Sequence, residues 1–303
     1  MAPNLDLAAP RPTAEEPIAR LRRRLLTHRD RLAGLLESLS LGHADPEQLH
    51  EWHRELKRLR VDSRLWVQLV PRGRTVGYSE LDAELRDLAR RIGAVRNDDV
   101  SIELVGRLAK GRAPVIPPRD ALVLTHSLMR TAQSGRSELA RRLRGNTGEA
   151  LLLAFERPLA AALPSAANER LRAALDEELV VRLARLERAL ARSYRRPTTP
   201  RLHRLRVALR TARIVEQTRR AALEAPPAPI APELRSIQVA LGELHDLDVL
   251  RESARRRLQD DRADRVDRAL KRARREKRRA MTRRLGEKSV RRAWDRLLAA
   301  APG

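Results

Sequence analysis

Cysteine is absent from the chain. That excludes a disulfide framework, thiol catalysis and any cysteine-held zinc. Aromatic residues make up only 2% of the 303 residues: Trp52, Trp66, Trp294, Tyr78, Tyr194 and Phe155. Runs of β-branched or aromatic residues are few, which argues against sheet and leaves little for bases to stack on. No apolar run approaches the roughly 20 residues needed to cross a bilayer. The opening stretch, MAPNLDLAAPRP, lacks the basic-then-apolar pattern of a signal peptide. The expectation is a soluble, cytoplasmic, all-α protein.

Lysine is scarce as well, at positions 57, 110, 271, 277 and 288 alone. Nearly all of the 64 basic residues are therefore arginine, set against 40 acidic ones, for a net charge of +24. The codon bias of a GC-rich genome accounts for arginine over lysine, but not for the excess of base over acid. A surplus this large favours a polyanionic partner.

The helical periodicity divides the chain. Residues 1–13 are Pro-rich and read as a flexible N-terminus. Residues 14–148 read as a first helical bundle, 149–165 as a connector helix packed on the core, and 166–300 as a second bundle. In the first bundle one helix runs to Ser40. A second opens at Asp45-Pro46-Glu47 and is closed by Pro71-Arg72-Gly73. A third spans Ser79 to Lys110 with a break expected near Gly93, and a fourth spans Arg119 to Arg144, closed by Gly145. The second bundle repeats the plan: Ala166 to Tyr194, Thr199-Pro200 to the run Pro226-Pro227-Ala228-Pro229, Pro232 to Gln259, and a basic helix from Arg262 broken at Gly286. Arg274, Arg278 and Arg279 of that last helix are read as lying off its core stripe. Four helices per half with short loops is bundle topology.

One stretch is written twice. Leu202 to Arg213 reads LHRLRVALRTAR, and Leu49 to Arg60 reads LHEWHRELKRLR. His203, Arg206, Arg210 and Arg213 match His50, His53, Lys57 and Arg60 in spacing. At about 100° per residue each set lies along one helix edge, beside a separate apolar stripe. Downstream, IGAVRNDDV (92–100) matches LGELHDLDV (241–249), and SELARRL, ending at Leu143, matches RAMTRRL, ending at Leu285. The offsets fall from 153 (50 to 203) through 149 (93 to 242) to 142 (143 to 285), as expected of a duplication whose second copy has shorter loops.

Arginine forks give two donors to two phosphate oxygens, and Lys57 a point charge. Four such groups over ten residues span about 15 Å of helix, which suits a chain of phosphates better than one. The alternative is a solvated basic face paired with neighbouring acids. His50 and His53 share a face, but no carboxylate or cysteine cluster accompanies them and Lys57 and Arg60 repel a cation, so no metal is expected. A neutral imidazole donating to a phosphate oxygen is the preferred role, against a plain surface or core histidine. Asp98, Asp99, Asp246 and Asp248 have the types needed for acid/base work or Mg²⁺. They are better read as helix caps past a glycine break, or as partners of the motif arginines. No nucleophile elbow, P-loop or zinc-protease motif is present, and no enzymatic activity or cofactor is expected.

A helix of the form His-x-x-Arg-x-x-x-Arg-x-x-Arg followed by Leu-Gly-x-x-Arg-Asp-x-Asp-Val, twice in one chain, resembles the CHAD family, the conserved histidine α-helical domain. The resemblance covers roughly residues 15 to 300. This chain departs from it at His245, where an arginine is usual, at His53, likewise, and at Asn97, where an aspartate is usual. The resemblance implies two four-helix bundles related by a pseudo-two-fold, around a basic cavity that binds inorganic polyphosphate. The binding residues expected from the two stripes are His50, His53, Lys57, Arg58, Arg60, Arg64, His203, Arg206, Arg210 and Arg213, on motif helices that face each other. The expected partner is polyphosphate, with location in the cytoplasm at polyphosphate granules. The alternative is a helical nucleic-acid-binding protein, since charge alone does not separate the two.

Overall fold

A computed structural model describes residues 16–41, 44–70, 77–144, 146–224 and 232–299. The expected flexible N-terminus, and the turns placed at residues 71–73, at Gly145 and at 226–229, lie outside the described residues. Ten α-helices and no strand are found among the described residues: α1 (Pro17–Ser40), α2 (Pro46–Leu69), α3 (Tyr78–Leu108), α4 (Pro118–Leu143), α5 (Asn146–Leu159), α6 (Ala167–Arg195), α7 (Thr199–Leu223), α8 (Pro232–Arg257), α9 (Asp260–Leu285) and α10 (Lys288–Ala299).

The start of α2 follows from its sequence. The Asp45 carboxylate accepts from the Gln48 backbone N–H at 2.7 Å, and the Gln48 side chain accepts from the Asp45 N–H at 3.1 Å. This capping box satisfies two donors that the helix start would leave unpaired, and Pro46 fixes φ where no donor is needed. The chain turns at Gly286 between α9 and α10, as expected. At Gly93 it does not: α3 runs unbroken from Tyr78 to Leu108, because a single glycine weakens a helix by only about 1 kcal/mol and packing outweighs that. The connector α5 ends at Leu159, one residue past Pro158, and so stops short of the expected end at residue 165.

Among the described residues, three apolar clusters hold the helices. The first joins the inner faces of α1, α2 and α3 to Leu139 and Leu143 of α4, Phe155 of α5 and Leu171 and Leu175 of α6. The second joins the rest of α6 with α7, the first half of α8 and Met281, Leu285 and Trp294 from α9 and α10. The third belongs to both halves, with Val105, Leu124 and Leu128 packed against Leu247, Leu250 and Leu270. The long hairpins α3–α4 and α8–α9 therefore meet at their far ends and fix one half against the other.

The motif helices α2 and α7 are tied together by a buried polar network that nothing in the sequence patterns announced. Asp62, with 0% exposure, accepts from Thr218 Oγ1 of α7 at 2.6 Å and from Arg24 Nε of α1 at 2.5 Å, and contacts His28 Nε2 of α1 at 3.0 Å. The other ring nitrogen of His28 lies 2.9 Å from Glu55. Burial works against the imidazolium, but the hydrogen bonds with Asp62 and Glu55 outweigh it and raise the His28 pKa. Asp62→Ala strands a buried cation and a hydroxyl, and is expected to cost about 3 kcal/mol or more in urea denaturation. A loss under about 1 kcal/mol would mean that water has taken the place of the carboxylate.

Arg274 of α9 proves to be a core residue, 8% exposed. It donates to Asp248 of α8 and to Thr199 Oγ1 at the start of α7. The sequence pattern put it off the core stripe. The apolar stripe does pass it by, but a neighbouring carboxylate makes its burial favourable.

Candidate phosphate-binding site

The basic cluster is built around His53. Its Nδ1–H donates to the Ala89 carbonyl of α3 at 3.0 Å. That fixes the tautomer and leaves Nε2 as an acceptor, which takes a hydrogen bond from the Lys57 ammonium one turn on. The ring rests on Gly93, where a Cβ would come within 2.7 Å of His53 Cε1. The glycine is therefore the seat of the imidazole, and not a helix break. Burial, then the charges of Lys57 and Arg96, push the His53 pKa down to about 3. It stays neutral and positions Lys57.

One turn along α3, Arg96 donates from Nε to His50 Nδ1 at 2.8 Å. A neutral His50 then carries its proton on Nε2, as a donor free to meet an anion. From α7, Arg206 and Arg210 complete the cluster. Burial first, and then Arg210, Arg96 and Arg206, drive the Lys57 pKa down to about 7. Burial, with Arg96 as the neighbouring cation, likewise disfavours the charge on Arg210. None of Lys57, Arg96, Arg206 and Arg210 forms an ion pair with a carboxylate among the described residues. The acid nearest in effect is Asp246 of α8, half-buried, whose pKa is raised by burial against the pull of Arg96 and Arg206.

The second half matches in outline. His203 is exposed, and its ring lies 5.5 Å from that of His245, tilted by 43°. His245 stands where Arg96 stands in the first half. Burial, then Arg206 and His203, push its pKa down to about 4. A cavity of about 740 Å³ is lined by Pro46, His50, Arg96, Asp99 and Arg136. Its counterpart, about 380 Å³, is lined by Pro200, His203, Arg206, His245, Asp248 and Arg274.

The structure thus brings His50, His53, Lys57, Arg206 and Arg210 together, with His203 at the rim. Arg213 stands farther along, donating to Gln238 at 2.9 Å. Its charge is disfavoured by burial and by Arg58, Arg235 and Arg54, while Arg58 is paired with Glu55. Arg60 and Arg64 are not in the cluster. Both bind Asp82 of α3, at 2.9 and 3.1 Å. Arg96 and His245 are not among the residues expected from the two stripes, because they stand in the acidic motifs, on α3 and α8 and not on the motif helices. The acids of those motifs do not cap helices, since α3 and α8 run on without a break at this point. Asp99 pairs with Arg136 at 2.7 Å, Asp98 with Arg257 at 3.1 Å and Asp248 with Arg274. Their partners come from α4, α8 and α9, and not from the motif helices.

The fold is similar to two solved structures. The crystal structure of the CHAD domain from the plant Ricinus communis matches with a TM-score of 0.57 at 19% identity, covering 91% of each chain. PptA from Streptomyces chartreusis matches with a TM-score of 0.55 at 16% identity, covering 93% of this chain and all of that one. At such identities the likeness speaks for the fold alone. No curated protein matches the sequence. The model of the CHAD domain matches residues 24–213 and again 193–303, consistent with an internal duplication, and the chain belongs to the CHAD family.

Proposed function

We propose that this protein binds inorganic polyphosphate, without catalysis, in the cluster between α2 and α7. One observation carries the reading: Lys57, Arg96, Arg206 and Arg210 are packed together, half-buried, and among the described residues none of them forms an ion pair, with Asp246, and for Arg96 also Asp99, the acids that act on them. Such an arrangement is costly for the free fold, and a bound polyanion offsets the cost by supplying the missing charge. A stripe of forks and one ammonium suits repeated phosphates. Of the acids that chemistry would need, Asp98, Asp99 and Asp248 are each held by an arginine, while Asp246 lies among the cations of the cluster. The proposed setting is the cytoplasm, at polyphosphate granules. No described helix is long and apolar enough to cross a membrane.

Nucleic acid is the second reading, because it would feel the same field. Stacking surface is what it would lack. Trp66, Trp294 and Phe155 are buried in the cores, Trp52 and Tyr78 half-buried, and Tyr194, 50% exposed, already carries Arg291 over its ring. That lack counts against single strands, and polyphosphate is expected to outcompete duplex DNA at matched phosphate concentration. With about five cations engaged, log K should fall with log salt at a slope of about −4. Orthophosphate should bind weakly. Equal affinity for DNA would favour the second reading, and phosphate release in the presence of Mg²⁺ would show an enzyme instead.

A further inference from the structure

A second basic groove lies on the outer side of the α6–α7 hairpin. Its cavity, about 600 Å³, is lined by Arg182, Arg185, Arg188 and Arg192 of α6 and by Arg201 and Arg204 of α7. No carboxylate lines it. Glu178 engages Arg182, and Arg201 donates to the backbone carbonyl of Arg192 at 3.2 Å. Arg185, Arg188, Arg192 and Arg204 are exposed and have no ion pair among the described residues. The four α6 arginines fall at intervals of three, three and four, so they form one row about 15 Å long. Val207 and Ala208 make the floor.

The groove is separate from the motif cluster yet continuous with it. On α7 its residues centre roughly 130° round the helix from Arg206, Arg210 and Arg213. His203 lies between the two sectors. His203 and Arg204 line both this groove and the cavity that holds Arg206 and His245. A linear polyanion leaving the cluster over His203 therefore meets cations without a gap. The first half does not repeat the device. At the offset of 153 that relates His50 to His203, Arg201 and Arg204 correspond to Gln48 and Glu51.

We propose that the α6–α7 groove is a second, one-sided binding site for the part of a long polyphosphate chain that extends beyond the motif cluster. The proposal rests on the functional reading above. It makes chain length, rather than phosphate count in solution, the quantity that the protein discriminates, because a chain that fills both sites gains the second contact intramolecularly.

The test compares short polyphosphate, of about five phosphates, which at roughly 3 Å per P–O–P repeat match a stripe of about 15 Å, with long-chain polyphosphate. One variant carries Arg185→Ala, Arg188→Ala and Arg192→Ala. A control of equal charge carries Arg275→Ala, Arg279→Ala and Arg283→Ala on the exposed side of α9. Alanine keeps both helices intact, and circular dichroism verifies it. The groove variant is expected to lose about tenfold in long-chain affinity and to keep short-chain affinity within about twofold of the control. Long-chain affinity no lower than in the control overturns the groove and leaves the functional reading standing. Equal loss for both lengths also overturns it, since the arginines then act as general field. Loss of single-stranded RNA binding, with long polyphosphate unaffected, would assign the groove to nucleic acid and overturn it too. Failure of the unaltered protein to bind short chains would overturn the functional reading, and the groove with it.

Discussion

Replacing Lys57, Arg206 and Arg210 together by alanine is expected to weaken polyphosphate binding by on the order of a hundredfold more than the control Arg275→Ala, Arg279→Ala, Arg283→Ala. Both variants lose three positive charges, so long-range steering changes alike. The cluster variant also loses direct charge-assisted hydrogen bonds, each worth roughly 1.5–3 kcal/mol. Even with strong non-additivity, an excess of about 3 kcal/mol remains, which is about a hundredfold. The two sets differ in structure in the way the test needs. Lys57, Arg206 and Arg210 are half-buried beside one another, whereas the three α9 arginines are exposed. Arg274 would be a poor control, since its pairing with Asp248 and Thr199 holds α7, α8 and α9 together. Stability should move the other way from affinity. Removing mutually repelling cations is expected to leave the free cluster variant at least as stable as the unaltered protein, as urea denaturation would show. Equal weakening in two folded variants would reduce the cluster to part of a diffuse basic surface.

Helix positions were legible because leucines recur at the helical period, and caps such as Asp45-Pro46 stand where a helix must start. The pairing of the motif helices was legible through the repeated His-Arg stretch. What stayed hidden was set by tertiary neighbours. Nothing local tells that Arg60 will meet Asp82 while Lys57 meets Arg210, since the two lie on one stripe and differ only in what α3 and α7 bring to them. Gly93 carries a true signal with another cause: the pattern marks a special backbone position, and what requires it is an imidazole packed on it from another helix. Asp62 and Thr218 were silent, being single polar residues in mid-helix whose partners come from other helices. The same holds for the shared third core, which needs the far ends of α3 and α8 to be known neighbours.

Lys57 should dominate the pH dependence above neutrality. In the free protein its pKa is pushed down to about 7, by burial first and then by Arg210, Arg96 and Arg206. A bound polyanion favours the ammonium, so binding takes up a proton at any pH above about 7. Affinity is then flat just below that point and falls as pH rises, by up to tenfold per unit, or about a hundredfold between pH 7 and 9 at the limit. Lys57→Arg keeps the charge at every pH and should flatten this fall, binding more tightly than the unaltered protein at pH 9. The histidines act in another window. His50 is shifted below its ordinary value by burial and then by Arg96, and His203 by burial and then by Arg206. Their proton uptake on binding therefore sets in at lower pH than that of Lys57, and the part of the pH dependence lost in His50→Ala with His203→Ala is their share. Stability of the free protein runs opposite to affinity. The unfolded chain holds the Lys57 proton up to about pH 10.4 while the fold releases it near 7, so the unfolded state binds more protons between these values and stability rises with pH. After discounting for partial exposure, a gain of about 1–2 kcal/mol from pH 7 to 9 is expected in urea denaturation, and none of it in Lys57→Arg. An arginine variant that kept the full slope of affinity from pH 7 to 9 would show that the titrating group lies elsewhere, and that Lys57 is not in contact with the ligand.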